Sequence, residues 1–573
     1  MDNKVIVHKL LGLLKDHIST ISFIIFCLLI STGLNLCIPL INRRIMDDGF
    51  IGGNKDLLIK LVLSSLILYM VNYIIEIIKE KKRVDILASI QYSLSEQSFS
   101  HLMKLKISYF ENTNYAEIMD NINTDINKIS SVADSNVFFV ITQAFSMTGG
   151  IIGLFIIDYR MTFLVLLFIP AKIFVMKYFA KKQKSLADKL ISSSQNYARW
   201  FGDALGGIRE IKLFGIFDKK HKEFVQGQKP VIENRKQLSM LNQWNDIIDF
   251  AMVQFLSTVL YILGANLVFD LQLSVGSVFA FITYSAYVTR PISLILNIGY
   301  YLSGIIPSTK RFYEFMDLEE EGTCTEYNVK PQNGDIEFEN VSFAYNEGNI
   351  VINHINLHIR QRDKIAFIGK NGSGKSTLID LLLRMYEPLD GKILLSGQDI
   401  AYIPLSEYRS LISVVSQEIY LFNDTIRNNI SLYRKIDDDT ILSICKASGL
   451  EDFLSEVSLD FTVGQNGTML SGGQKQKIAL ARALLHDRPI VIFDEATSNT
   501  DSYSEQQINA LLHTRLNNKT VIVITHRQEI LNEVDNIVIL NEGQIVDQGS
   551  YEYIKNSKQY LDMLNIGPYN RQN

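Results

Sequence analysis

The sequence predicts a two-part protein: a membrane α-helical bundle of six spanning helices, followed by an α/β domain. Two observations carry this. The hydrophobic fraction, 47%, is ordinary, yet the long charge-free runs fall before Thr309. Beyond Asp335 the pattern changes to short apolar strands separated by helices and glycine loops, as in a soluble α/β fold. At 573 residues the chain is also too long for one ordinary core.

A spanning helix needs about 20 mostly apolar residues. Residues 18–42, 135–157, 250–269 and 271–289 carry no Asp, Glu, Lys or Arg. Two further spans are interrupted by charge: residues 57–78 by Lys60 and Glu76, and residues 161–180 by Lys172 and Lys177. Residues 158–160 and 270–274 are then tight turns, 43–56 is a moderate loop, and 79–134 and 181–249 are long segments with helical patterning. From Lys177 to Asp249 there are fourteen Lys and Arg, whereas the turn at 158–160 has one. The positive-inside rule therefore places the long segments and both termini in the cytoplasm. Helices continuing through 79–101 and 181–199 would project tens of ångströms at about 1.5 Å per residue.

Residues 1–17 set Val5, Ile6, Leu10, Leu11, Leu13 and Leu14 against Lys4, Lys9 and Lys15, the pattern of an amphipathic helix in the membrane interface. No cleavable signal pattern precedes it. Charge inside a membrane is costly and points to function. Glu76, Lys172 and Asp249 lie near predicted helix ends, where side chains reach the interface by snorkelling. Arg290, just before Pro291, lies deeper. It is expected to face a polar cavity or to pair with Glu76 or another acid. The four cysteines (Cys27, Cys37, Cys324, Cys445) have neither metal-ligand nor disulfide-framework spacing. A net charge of −5 argues against a general nucleic-acid binder.

Residues 317–334 are acidic and polar and mark the domain boundary. Ile336, Phe338, Val341 and Phe343 then alternate with polar residues as a half-buried strand. Residues 364–368 form a short strand, and 377–385 read as a helix. Between them runs Gly369-Lys370-Asn371-Gly372-Ser373-Gly374-Lys375-Ser376, a complete G-x-x-x-x-G-K-[ST] followed by Thr377. Its glycines let backbone N–H groups converge on phosphates, and the helix N-terminus adds partial positive charge. Lys375 supplies a full charge to the outer phosphates, and Ser376 suits Mg²⁺. A second strand, 489–493, delivers Asp494 and Glu495. An acid there suits Mg²⁺, usually through water, and its neighbour suits orienting or deprotonating an attacking water.

Residues 470–474, Leu-Ser-Gly-Gly-Gln, complete a set of ordered motifs that closely resembles the ATP-binding cassette (ABC) family. The resemblance implies an α/β P-loop cassette with a helical subdomain, binding ATP and Mg²⁺. It places Tyr345 against adenine and Gly369, Asn371, Gly372, Ser373, Gly374, Lys375, Ser376 and Thr377 around the phosphates. It places Ser376, Gln417 and Asp494 around the metal. Glu495, His526 and Gln417 become the catalytic group, and Asp501 belongs to the loop after Glu495. Ser471, Gly472, Gly473 and Gln474 are the family signature, which completes the phosphate site of another cassette, so two cassettes must pair head to tail. Two departures stand out: Gln465 where the family usually has Glu, and Asn499-Thr500 where it has a small apolar pair.

The front half resembles the exporter membrane domain of the same family. Residues 109–111 with 117–125 look like its first coupling segment, 207–215 like its second, and 311–315 like the end of its sixth helix. The implied domains are an interfacial helix at 1–17, a transmembrane domain at 18–316, a linker at 317–334 and the cassette at 335–573. The implied function is ATP-driven export by alternating access as a dimer of half-transporters in the lipid bilayer. With no catalytic position missing, a homodimer is the simplest assembly and a heterodimer the other. An ATP-gated channel or a membrane sensor is the alternative. A soluble cassette protein is disfavoured by the spans. Drugs, lipids and processed peptides all remain open as cargo. A leader-cleaving peptide exporter is disfavoured, because only about 17 residues precede the first span.

Overall fold

The computed structural model describes residues 3–111, 115–133, 135–293, 295–296, 305–322, 333–345, 348–494, 509–525 and 527–564. They divide into two compact units, Met1–Met103 with Asn114–Leu318, and Lys104–Thr113 with Glu319–Asn573.

The first unit is helical: α1 (Asn3–Lys15), α2 (Ile18–Arg44), α3 (Lys55–Leu102), then, after the short α4 (Ile107–Glu111) of the second unit, α5 (Tyr115–Ser130), α6 (Ser135–Ile157), α7 (Tyr159–Gly206), α8 (Ile208–Leu213), α9 (Phe217–Phe269), α10 (Val275–Thr289) and α11 (Ile305–Met316). Among the described residues, four stretches are long and apolar enough to cross a membrane: Ile18–Ile51, α3, α7 and α9. A shorter apolar helical stretch is Thr142–Ile157. α3 runs unbroken for 48 residues, roughly 70 Å at the standard rise. Chemistry at the ends fixes the turns. Asn54 caps α3 through Leu57 N–H, and Asp158 caps α7 by accepting from Arg160 and Met161 N–H. The expected span at 271–289 starts later: Leu271 has φ +56°, so the chain turns there, and Ser274 caps α10 at Val275.

α7 packs along α9, and α2 packs on α3 and α10. Leu154, Val165, Leu260 and Phe281 form one buried cluster. A second joins Ile6 and Leu10 of α1 to Ile24, Ile86, Ile129 and Phe312, while Lys9 sits 3.8 Å from the Tyr313 ring centroid. Ile6 and Leu10, with the partly buried Leu13 and Leu14, therefore pack against protein; Val5 and Leu11 are exposed.

The intramembrane charges are arranged differently from expectation. Lys172 does not snorkel: it is fully buried, and its Nζ lies 2.7 Å from Asp249 Oδ1. Asp249 also accepts from Ser293 Oγ at 2.6 Å. Glu76 is held by Lys79 and by Ser31 Oγ at 2.9 Å, not by Arg290. Arg290 ends α10 as an exposed side chain. Interhelical packing brings a base and an acid together across α7 and α9, a juxtaposition that spacing along one chain does not reveal.

The second unit contains two sheets. An antiparallel sheet has the order β2 (Ile352–Ile359), β1 (Ile336–Phe343), β4 (Asp390–Leu395), β5 (Gln398–Asp399). The other has the order β10 (Gln544–Gly549), β9 (Asn536–Asn541), β3 (Lys364–Gly369), β8 (Thr520–Ile524), β7 (Ile490–Asp494), β6 (Ile412–Val415). It is parallel except at the β9–β10 edge. Its inner strands are continuous apolar runs because both faces are covered. One core packs β1, β2 and β3 around Leu378 and Leu382 of the helix Lys375–Leu382. That helix begins two residues before the expected 377 and stops short of 385, where Arg384 takes φ +52°. A separate core unites the helices Ile426–Ser431, Asp438–Ala447 and Gly472–Leu485, the helical subdomain.

Candidate active site

β3 lies between β8 and β9, and its C-terminal end opens into the loop 370–374 and the helix Lys375–Leu382. This carboxyl edge is where parallel α/β sheets hold ligands. Gly372 and Gly374 have φ of +79° and +101°, which L-residues rarely adopt. A Cβ on Gly374 would also meet Ile352 Cδ1 at 2.7 Å, and one on Gly369 would meet the Leu540 carbonyl at 2.2 Å. Lys375, 6% exposed, curls back so that its Nζ donates to the Gly369 carbonyl at 2.7 Å and the Lys370 carbonyl at 3.0 Å. The Ser373 Oγ is buried with no hydrogen-bond partner among the described residues. A glycine cradle, a held ammonium and an orphaned hydroxyl at a helix N-terminus fit a phosphate chain. Ser376, the first exposed side chain of that helix, offers its hydroxyl outward, while Asn371 and Gly372 lie exposed on the loop.

Thr377 is buried and its hydroxyl meets Tyr345 Oη at 3.0 Å. Tyr345 is 45% exposed, with its ring edge-on to Phe343 (5.0 Å) and Tyr386 (5.1 Å). Burial pushes its hydroxyl above the ordinary range. The ring is thus fixed at one end and open enough to stack on a flat base.

Asp494 ends β7, in register with Ile524 of β8, two strands from the phosphate loop. Its charge acts on Asp380 of the helix Lys375–Leu382. Burial pushes the Asp380 carboxyl up to about 6, and the nearby Asp494 and Glu111 carboxylates add to the rise. Gln417 lies exposed just beyond β6. Glu495, Asp501 and His526 lie outside the described residues, as do Asn499 and Thr500.

Ser471 caps the helix Gly472–Leu485 through a reciprocal capping box: Gln474 N–H donates to Ser471 Oγ at 3.3 Å, and Ser471 N–H donates to Gln474 Oε1 at 2.8 Å. A Cβ on Gly472 or Gly473 would meet nothing within 4 Å, so neither glycine is required by its own surroundings. This helix packs in the helical-subdomain core, whereas the phosphate-loop helix packs in the other. Gln465 opens a short turn, Gln465–Gly467, in which Asn466 has φ +48°.

Sequence reasoning missed two residues of this neighbourhood, Tyr386, whose hydroxyl donates to Glu111, and Asp380; Glu111 it had read only as part of the first coupling segment.

A phosphate-binding α/β cassette fused to membrane-crossing helices defines a membrane transport ATPase. The chain belongs to the ABC transporters of the exporter type. The family's ABC transporter transmembrane region matches residues 21–292, and its ABC transporter domain matches residues 352–498. An ATP-dependent lipid A-core flippase of Alcanivorax borkumensis is 30% identical over 477 residues, covering 81% of each chain. The flippase of Escherichia coli K12 is 27% identical over 523 residues, covering 89% of this chain and 88% of its own. A solved bacterial Atm1-family ABC exporter with ATP bound superposes with a TM-score of 0.82 at 22% identity, covering 97% of this chain and 99% of its own. The chain is a multi-pass membrane protein and an ATP-driven exporter, with the cassette as its ATPase.

Proposed function

We propose that two copies of the chain pair so that the phosphate loop of one cassette and the signature of the other enclose each ATP. The observation that carries this is the separation of half-sites. Gly369–Thr377 and Ser471–Gln474 lead into helices that pack in different cores, and Gly472 and Gly473 have open space for close approach. ATP supplies the phosphoanhydride whose hydrolysis drives transport. Lys375 and the loop N–H groups hold its phosphates, and Tyr345 stacks on adenine. Ser376, Asp494 and Gln417 would hold Mg²⁺, which would neutralise charge on the phosphates. Glu495 takes a proton from the attacking water, His526 donates to the terminal phosphate, and Asp501 belongs to the loop after Glu495. The cassettes and both termini are cytoplasmic. The long helices α3, α7 and α9 move the spans as the cassettes close, and an amphiphilic cargo leaves the cytoplasmic side, in keeping with the lipid flippases among the relatives.

The test is a Cys-free chain carrying Asn371→Cys and Ser471→Cys, oxidised with and without ATP. A covalent dimer that forms with ATP and is reversed by reductant is expected. A cross-link confined to single chains would rule out the head-to-tail arrangement.

A further inference from the structure

Within the membrane unit, α2, α3, α6 and α10 enclose a cavity of about 690 Å³. That is the size of a small-molecule site, roughly 300–1,000 Å³. One wall is α3, where two ion pairs stand one turn apart: Glu76 with Lys79, and Glu80 with Arg83. Arg83 also donates to the Ala133 carbonyl at 3.2 Å. From α2, the Ser31 hydroxyl lies 2.7 Å from Asn72 Oδ1 and 2.9 Å from Glu76 Oε1, donating to one at a time, and Asn72 donates to Asn35 at 3.4 Å. Thr32 also lines the cavity. It is 5% exposed, and its hydroxyl has no hydrogen-bond partner among the described residues. Leu28, Leu36 and Tyr287 supply apolar lining.

The balance of charge selects the ligand. The two carboxylates and two cations cancel. A ligand of a single sign would recruit one set and leave the other without its partner, at a cost greatest for the nearly buried Lys79 and Arg83. A ligand bearing both an ammonium and an anion exchanges partners with both pairs and strands neither. Thr32 and the α2–α3 amides add hydrogen bonds without adding charge. We infer that this cavity binds a zwitterionic group: Glu76 and Glu80 receive its ammonium, and Lys79 and Arg83 receive its anion. This rests on the export reading above and specifies the cargo. Two sources carry the chemistry: a phosphoethanolamine headgroup of an amphiphile, or a short peptide with charged termini.

The test uses the full chain in phosphatidylglycerol nanodiscs without nucleotide and three probes of equal tail: dodecylphosphoethanolamine, dodecyl phosphate and dodecylammonium. Wild type should bind the first at least about tenfold more tightly than either probe of a single sign. Glu76→Gln should weaken the zwitterion and shift preference toward dodecyl phosphate. Lys79→Gln should shift it toward dodecylammonium. These opposite shifts cannot arise from a common folding defect. Competition by phosphatidylethanolamine identifies a headgroup, and competition by trialanine identifies a peptide; either supports the site. A wild type that binds dodecyl phosphate as tightly as the zwitterion, or variants without the opposite shifts, would overturn it. ATP-driven accumulation in inside-out vesicles, measured separately, distinguishes the failures. Accumulation of dodecyl phosphate alone keeps export and removes the zwitterion site. Binding without accumulation of any probe keeps the site and removes the export of such cargo.

Discussion

Two buried lysines, one in each unit, are held in different ways. In the membrane unit, Lys172 is fully buried and faces the carboxylate of Asp249 at 2.7 Å, which is itself steadied by Ser293. In the cassette, Lys375 is nearly as buried, and its ammonium rests on the carbonyls of Gly369 and Lys370. A carboxylate neutralises an ammonium with a full opposite charge. Carbonyl dipoles hold an ammonium by hydrogen bonds and set it beside the loop that receives phosphates. What surrounds the lysine, more than the degree of burial, separates a cation that fixes helix packing from one that binds anions.

The largest expected effect lies on the cassette side. Glu495→Gln should retain ATP binding and lose hydrolysis by roughly 10²-fold or more, the usual worth of a positioned base. Steady-state phosphate release with a nucleotide-binding assay checks this, and undiminished turnover would remove Glu495 as the base. On the membrane side, Lys172→Met strands the part-buried Asp249 and should destabilise the unit by up to about 3 kcal/mol, whereas Lys172→Met with Asp249→Leu should recover most of that loss. Thermal melting in detergent measures both, and equal losses would show that the pair is not a closed unit.

Smaller effects sharpen the cassette side. Tyr345→Ala removes the stacking face and should weaken ATP binding about tenfold, given roughly 1–3 kcal/mol per stacked base. Tyr345→Phe keeps the face, loses only the hydrogen bond to Thr377, and should change binding by less than about threefold. The smallest effect is pH-dependent. Asp380 is raised from its ordinary value to about 6, chiefly by burial. The folded state therefore holds a proton that the unfolded chain has released, and stability falls as pH rises from near 4 to about 6. Asp380→Asn removes that loss. Its melting temperature should exceed wild type above pH 6 and match it near pH 4, measured without nucleotide or Mg²⁺.

The two units were also unequally legible. Cassette chemistry is local: a strand, a glycine loop and a helix N-terminus lie within a dozen residues, so Gly369 to Thr377 could be read from order alone. The strand at 336–343 announced itself by alternation, and those at 364–369 and 490–494 by apolar runs that their sheet buries. Membrane spans were visible through hydropathy, but their pairings were not. Lys172 and Asp249 are 77 positions apart, and only the packing of α7 on α9 joins them. Hydropathy treats each as an isolated charge near a helix end. Likewise Tyr386 and Glu111 meet through tertiary contact, with no shared motif to announce it.

The most direct test of the contrast compares Lys375→Met and Lys172→Met in parallel, measuring melting temperature and ATP affinity for the folded fraction of each. The account predicts a crossed result. Lys375→Met should lose ATP binding and keep its melting temperature within a few degrees. Lys172→Met should melt far lower while its folded fraction binds ATP as wild type does. A Lys375→Met chain that melts as low as Lys172→Met, or a folded Lys172→Met fraction that no longer binds ATP, would contradict it.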